Sequence, residues 1–370
     1  MSVVLRAERV ITGERELTDA WVHVDGARIV DVGEGAAPTG REERVGGWLI
    51  PGFVDVHVHG GGGGSFSNAD VPMVAAFHLS HGTTTMLASL VSEPIDVLVD
   101  QILRLLPYVE SGAVAGIHLE GPFLAERRCG AHDPRVLSSP DAHTIARLIE
   151  VGSGAIRMLT IAPELPGALD AIRVFTAHGI VAALGHSDAD SALVLRAVDA
   201  GASQVTHLFN GMAPLHHRHE GLAEVGLLDE RLLCELILDG HHLSDRITEV
   251  ALRSLDERWI AITDAMAAAG LNDGNYVLGG LAVQARDGVV RLVDGGSLAG
   301  STLTMDAAFR AITQRFHRTP LEAVQATATR PARVLNRPDL GVIAPGARAN
   351  LLSWQDDALA RVMLEGRWIP

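Results

Sequence analysis

The stretch FVDVHVHGGGGG, residues 53–64, sets two histidines into an apolar run that breaks off in five glycines. Alternate side chains of a strand share a face, so His57 and His59 point the same way, roughly 6–7 Å apart at Cβ from the ~3.3 Å rise per residue. That separation suits two imidazoles converging on one metal ion. A lone buried histidine is more simply a core residue satisfied by hydrogen bonds. A His-x-His pair on a Val/Phe strand that ends in glycines favours the metal. The glycines let the backbone turn sharply and leave space beside the site. On this reading the rest of the chain must supply further ligands.

Around this strand the chain reads as repeated βα units. Strand candidates fall at 53–59, 83–90, 113–119, 156–162, 180–185, 204–209, 233–238 and 258–263. Helical patterns lie between most of them, for example 94–108, 141–151, 167–178 and 190–200. Eight units over about 280 residues match an α/β fold of the (β/α)8 TIM-barrel type. A doubly wound open sheet is the alternative, against which the chemistry at the strand ends decides. The flanks differ. Residues 2–50 and 341–370 alternate in short runs, with Asp25-Gly26 and Glu365-Gly366 in turns. Each is too short for a stable sheet of its own, so the two ends are expected to pair into one small β-sandwich. The expected division is 1–50 and 336–370 for that sandwich and 51–335 for the barrel. Residues 275–297 are β-like and glycine-rich, which suggests a hairpin excursion after the eighth strand.

Composition narrows the function. Of the 370 residues 47% are hydrophobic and 20% charged, which allows a large core and argues against disorder. A formal charge of −15 argues against nucleic acid or an anionic membrane as partner. No stretch approaches 18 uninterrupted apolar residues, and the first residues lack a basic region followed by a long apolar run, so a cytoplasmic protein is expected. Two cysteines, Cys129 and Cys234, offer no disulfide framework. All 30 basic residues are arginine. The absence of lysine excludes a Schiff-base lysine, a Walker-type phosphate loop and a carboxylated lysine between two metals. A carboxylate side chain would have to take that last role.

Barrel active sites are built at the C-terminal ends of the strands. There the sequence places His57 and His59 on strand one, Glu120 of HLEGP on strand three, and His186 of GHSDAD on strand five. His207 of THLFNGM follows on strand six, Asp239, His241 and His242 of DGHH on strand seven, and Asp264 of TDAM on strand eight. Imidazole and carboxylate together suit Zn²⁺, Fe²⁺ or Mn²⁺. His118 alternates with Glu120 and is compatible with either the site or the core. HHRH, 216–219, reads equally as a solvated loop, and Cys129 lies in a polar loop well past its strand.

PGFVDVHVHG, HLEGPFL, GHSDA, THLFNGM, DGHH and TDAM, in this order, resemble the amidohydrolase superfamily, and within it the family of N-acetylglucosamine-6-phosphate deacetylases. HLEGPF with THLFN is the specific pair, because related amidohydrolases usually carry a lysine where this group has the glutamate. The resemblance implies Glu120, His186 and His207 as ligands of a principal divalent metal and Asp264 as catalytic acid/base. His57 and His59 would bind a second ion bridged by Glu120, giving one or two ions per subunit. It implies hydrolysis of the acetamide of N-acetylglucosamine 6-phosphate, in amino-sugar catabolism and cell-wall recycling, with water made acidic by the metal as nucleophile. His132 would polarise the acetyl carbonyl, with Ala131 beside it. Arg218, reaching in from the second subunit of a homodimer, would hold the phosphate with His242 and the backbone of Asn210 and Gly211. Leu298 and Ala299 of SLAGS would close over the sugar. In this chain His219 stands between Arg218 and Glu220, which are adjacent in the usual family loop. The rival readings are an amidohydrolase for a cyclic imide or N-acyl amino acid, which needs no Arg218, and a non-catalytic barrel scaffold. A scaffold has no physical use for six ligand-type side chains.

Overall fold

The structure, a computed structural model, describes residues 2–370. Eight strands form one sheet in sequence order: Phe53–Asp55, Thr83–Leu90, Gly116–Glu120, Ile156–Ile161, Val181–Leu184, Gln204–Val205, Leu233–Ile237 and Trp259–Ile262. From the second to the eighth every pairing is parallel. The exits of the last and first strands then run together. The Asp264 N–H donates to the His57 carbonyl at 2.9 Å, and the His59 N–H to that of Ala265 at 2.8 Å. This is the expected α/β barrel, nearly closed.

The helices between the strands follow their apolar spacing. Ile95–Glu110 buries Leu98, Ile102 and Leu105, at i, i+4 and i+7. Ala142–Gly152 and Ser191–Asp199 start where Asp141 and Asp190 accept the N–H groups of Thr144 and Leu193, as N-cap residues do.

Strands one and six are shorter than their sequence suggests: the ladder stops at Asp55 and Val205. Beyond those points the backbone donors find other partners. The Val58 N–H donates to Ser89 Oγ at 3.0 Å and the His207 N–H to Glu235 Oε2 at 3.1 Å, while His207 has a φ of 26°, which no strand accommodates. His57, His59 and His207 therefore sit on the strand exits rather than in the strands.

The two chain ends meet in a second sheet. Trp48–Pro51 lies between Ser2–Ile11, to which it is parallel, and Leu351–Gln355, to which it is antiparallel. Leu5, Val10, Val22, Leu49, Leu351 and Met363 fill its core. The excursion after strand eight has three antiparallel strands, Gly274–Leu278, Leu281–Arg286 and Val289–Leu292, one more than a hairpin. By packing, the chain divides into two units. One runs to Asp55 and adds His78–Thr85 and Thr304–Pro370; the other is Val56–Phe77 with Met86–Leu303.

In the first unit Asp339 accepts from Arg337 Nε at 2.7 Å and Nη2 at 2.9 Å, and from Arg348 Nε at 3.3 Å. The Arg337 hydrogen bonds, against the cost of burial, hold its carboxyl down at about 2. A folded pKa below the unfolded one stabilises the fold at pH above ~4 and stops doing so as pH falls towards the folded value. Asp339→Asn should therefore lower the melting temperature at pH 7 by about 1–3 °C, on the order of 1 kcal/mol after solvent screening. In parallel melts the gap between the two proteins should close by pH 2.

Candidate active site

The site lies wholly within the second unit, and three of its imidazoles are oriented from behind. His57 Nδ1 donates to Glu235 Oε2 at 3.0 Å, His59 Nδ1 to the Ser89 carbonyl at 3.2 Å, and His186 Nδ1 to the Arg128 carbonyl at 2.8 Å. Each acceptor is a carbonyl or carboxyl oxygen, so the ring proton sits on Nδ1 and the Nε2 lone pair faces the pocket. Arg128 is itself anchored by Asp188 at 2.7 Å.

The Nε2 atoms converge. His57 and His59 are 3.2 Å apart there, His186 and His207 3.0 Å. Glu120 lies between the pairs: Oε1 is 3.2 Å from His186 Nε2 and 3.0 Å from His207 Nε2, and Oε2 is 3.1 Å from His59 Nε2. Asp264 Oδ1 stands 3.3 Å from His59 and 3.5 Å from His57. Two lone pairs facing each other at 3.2 Å repel unless positive charge comes between them. A proton or a metal ion can supply it. His57, His59, Glu120 and Asp264, all buried, group as potential ligands of one ion, and Glu120, His132 and His186 form a second group. The donor set fits a divalent cation.

Without an ion, protons do this work. Burial opposes charge on His57, but Glu120, Asp264 and Glu235 outweigh it and its pKa is raised well above the ordinary value. His59 is likewise pushed up to about 9, against burial, by Asp264 and Glu120. In turn these rings hold Glu120 well below, and Asp264 below, the usual carboxylate range despite burial. His186, His207 and Asp264 all have left-handed backbones, with φ of 49°, 26° and 49°. Such conformations cost of order 1–3 kcal/mol each and persist where the surroundings fix them.

His132 is different. Burial brings its pKa down to about 4, so it is neutral at pH 7. The Ser92 N–H donates to its Nδ1 at 3.2 Å, which leaves the ring proton on Nε2, 3.4 Å from Glu120 Oε2. His132 thus presents a neutral N–H donor to the pocket. At the rim His242 donates from Nδ1 to Asp239 Oδ2 at 2.7 Å. Burial works against its charge, but Asp239 prevails and raises its pKa.

These groups floor a cavity of about 330 Å³, walled by Val91, Phe209, Leu278 and Leu298. Ala131, Asn210, Gly211 and His242 also line it. Ala299 does not. Its side chain is buried in the apolar cluster with Val91 and Met266 and its N–H is bound to the Val290 carbonyl, so the lining passes from Leu298 to Gly300. Arg218 is exposed on its loop and is absent from the cavity wall of its own chain. His118 belongs to the core: its nitrogens meet Ser89 Oγ at 3.0 Å and Thr160 Oγ1 at 2.9 Å. Cys129 is not among either ligand group.

Sequence reading missed Ser92, Glu235 and, of the apolar wall, Val91, Phe209 and Leu278. Glu235 gave a usable signal, a carboxyl in the apolar run LLCELIL; Val91 and Leu278 gave none, since an apolar residue after a strand is ordinary.

The amidohydrolase family matches residues 48–369. An N-acetylgalactosamine-6-phosphate deacetylase of Escherichia coli O157:H7 is 37% identical, over 95% of each chain. An N-acetylglucosamine-6-phosphate deacetylase of Vibrio furnissii is 34% identical, over 98% of this chain and 94% of its own. The crystal structure of N-acetyl-D-glucosamine-6-phosphate deacetylase from Mycobacterium smegmatis superposes with a TM-score of 0.96, at 40% identity and over the whole of both chains. The converging imidazoles and carboxyls at the strand exits and these likenesses along the full chain agree: the protein belongs to the amidohydrolase family, in its N-acetylglucosamine-6-phosphate deacetylase group.

Proposed function

We propose that this protein hydrolyses the acetamide of N-acetyl-D-glucosamine 6-phosphate to glucosamine 6-phosphate and acetate. The observation that carries the reading is the set of Nε2 lone pairs held around Glu120 and Asp264. A divalent ion bound there, Zn²⁺ by ligand type, would acidify a water and draw charge from a carbonyl oxygen. Glu120, His186 and His207 would hold the principal ion, and His57 and His59 with Glu120 would hold a second. Asp264, kept ionised by its histidines, accepts the proton of the attacking water and returns it to the departing sugar nitrogen. His132 donates its Nε2–H to the acetyl oxygen, where negative charge grows during attack. Val91, Phe209, Leu278 and Leu298 exclude water from the acetyl end. The barrel, 51–335, carries this chemistry, and the segments 1–50 and 336–370 take no part in it. The two unpaired cysteines accord with the cytoplasm, and no helix among the described residues is long and apolar enough to cross a membrane.

The phosphate falls to His242, whose pKa Asp239 raises against burial, to the backbone of Asn210 and Gly211, and to Arg218 of a second copy in a homodimer. Support for the shared arginine is its exposure on the loop 213–221, with Leu215 exposed beside it. Arg218→Ala should raise KM for the 6-phosphate sugar roughly 10- to 150-fold, the worth of one charged hydrogen bond. It should barely alter hydrolysis of unphosphorylated N-acetylglucosamine. Mixing Asp264→Asn with Arg218→Ala under subunit exchange should restore activity, since one site of each mixed dimer is intact. No recovery despite proven exchange would refute the sharing.

The direct test is acetate release by metal-loaded protein from N-acetylglucosamine 6-phosphate, with the galactosamine epimer alongside because one relative acts on it. Release from neither sugar phosphate would refute the proposal.

A further inference from the structure

Glu235 sits in the middle of the seventh barrel strand, fully buried and outside the cavity wall. A carboxyl in such a place carries a desolvation cost that an apolar side chain would not. Its three contacts are all with donors. His57 Nδ1 reaches Oε2 at 3.0 Å, the backbone N–H of His207 reaches the same oxygen at 3.1 Å, and Gln204 Nε2 reaches Oε1 at 2.5 Å. One carboxyl therefore touches a ring at the exit of strand one and the backbone of a histidine at the exit of strand six. These histidines belong to the two different ligand pairs.

We propose that Glu235 is a positioning residue for both pairs. It keeps the His57 proton on Nδ1, so that Nε2 offers its lone pair to the cluster, and its charge makes that ring a stronger donor. By taking the His207 N–H it also holds the left-handed turn that aims His207 at Glu120. Glu235 thereby sets the spacing between the pairs without touching substrate. This rests on the reading that the cluster holds divalent ions.

The test uses Zn²⁺ titrated into metal-free full-length protein against a chromophoric chelator, for wild type, Glu235→Gln, His57→Asn and the double variant. Glutamine keeps the shape and one oxygen for the His207 N–H but removes the charge. Glu235→Gln should bind the ion held through His57 about 10- to 100-fold more weakly, the usual worth of a group behind a ligating histidine. Added to His57→Asn it should cost that ion little more, because the effect runs through that ring. Superposable isotherms for wild type and Glu235→Gln would overturn the inference. So would losses that simply add in the double variant. Wild-type protein that bound no Zn²⁺ would instead sink the cation reading, and this inference with it. Melts of the metal-free proteins run alongside. If Glu235→Gln does not fold, Glu235→Asp, which keeps the charge with one methylene less reach, goes through the same titration with the same two outcomes.

Discussion

Asp264→Asn should fold, load Zn²⁺ and bind the sugar phosphate much as the parent does, yet turn over at least ~10²-fold more slowly, the common worth of a general acid/base. Asparagine matches aspartate in size and can still occupy the space beside His57 and His59. It cannot take up a proton and hand it on. The parent carboxyl is poised for this: buried, but held below its ordinary pKa because His57 and His59 outweigh burial and the like charge of Glu120. It is thus ionised at neutral pH and free to accept. Single-turnover acetate release with Zn²⁺ content measured on the same sample separates the two effects. Turnover within a few-fold of the parent, at equal metal content, would remove Asp264 from the reaction.

Glu120→Gln should do more. Glu120 is the one side chain that meets all four converging imidazoles, with His57 at 3.5 Å and the other three at 3.0–3.2 Å. An amide offers one neutral oxygen in place of the carboxylate's shared charge, and its NH2 would occupy a lone pair that an ion needs. We expect Zn²⁺ content to drop and activity to fall by ~10³-fold or more, since several kcal/mol of charge stabilisation go with the ion. Elemental analysis after dialysis and acetate assays at rising Zn²⁺ decide it. A variant with full metal and full activity would mean that Glu120 is no ligand.

Much of this site was legible in the sequence because strand exits in a barrel are fixed in space once the strands are counted. His57, His59, Glu120, His186, His207 and Asp264 are far apart in the chain, yet each closes an apolar run, and barrel geometry brings such positions together. What sequence could not give was local backbone. The His-x-His pair reads as strand, and only the competing acceptors Ser89 and Ala265 show why the ladder stops short of it. Ala299 and Gly300 look interchangeable in SLAGS until the hydrogen bond from Ala299 to Val290 turns one into the core and the other to the cavity. Glu235 was visible as a charge in an apolar strand, but its meaning depends on which two histidines lie across the barrel. Arg218 was named only through the resemblance: it is exposed on its loop and absent from the cavity wall of its own chain, so this fold alone gives it no partner in the site.

The second sheet has a consequence for how the chain is made. Its strand Trp48–Pro51 is flanked on one side by residues from the start of the chain and on the other by Leu351–Gln355, with Leu351 opposite Pro51. One edge of that strand therefore stays open until Leu351–Gln355 has been made, and closing it joins segments roughly 300 residues apart in the chain. Contacts of that range are entropically the last to form, and an open apolar edge is an aggregation hazard while it waits. A nascent chain of this protein depends on Leu351–Gln355 to cover Trp48–Pro51, so a break ahead of Leu351 leaves an exposed, sticky edge, while the candidate ligand side chains, all in place by Asp264, precede it.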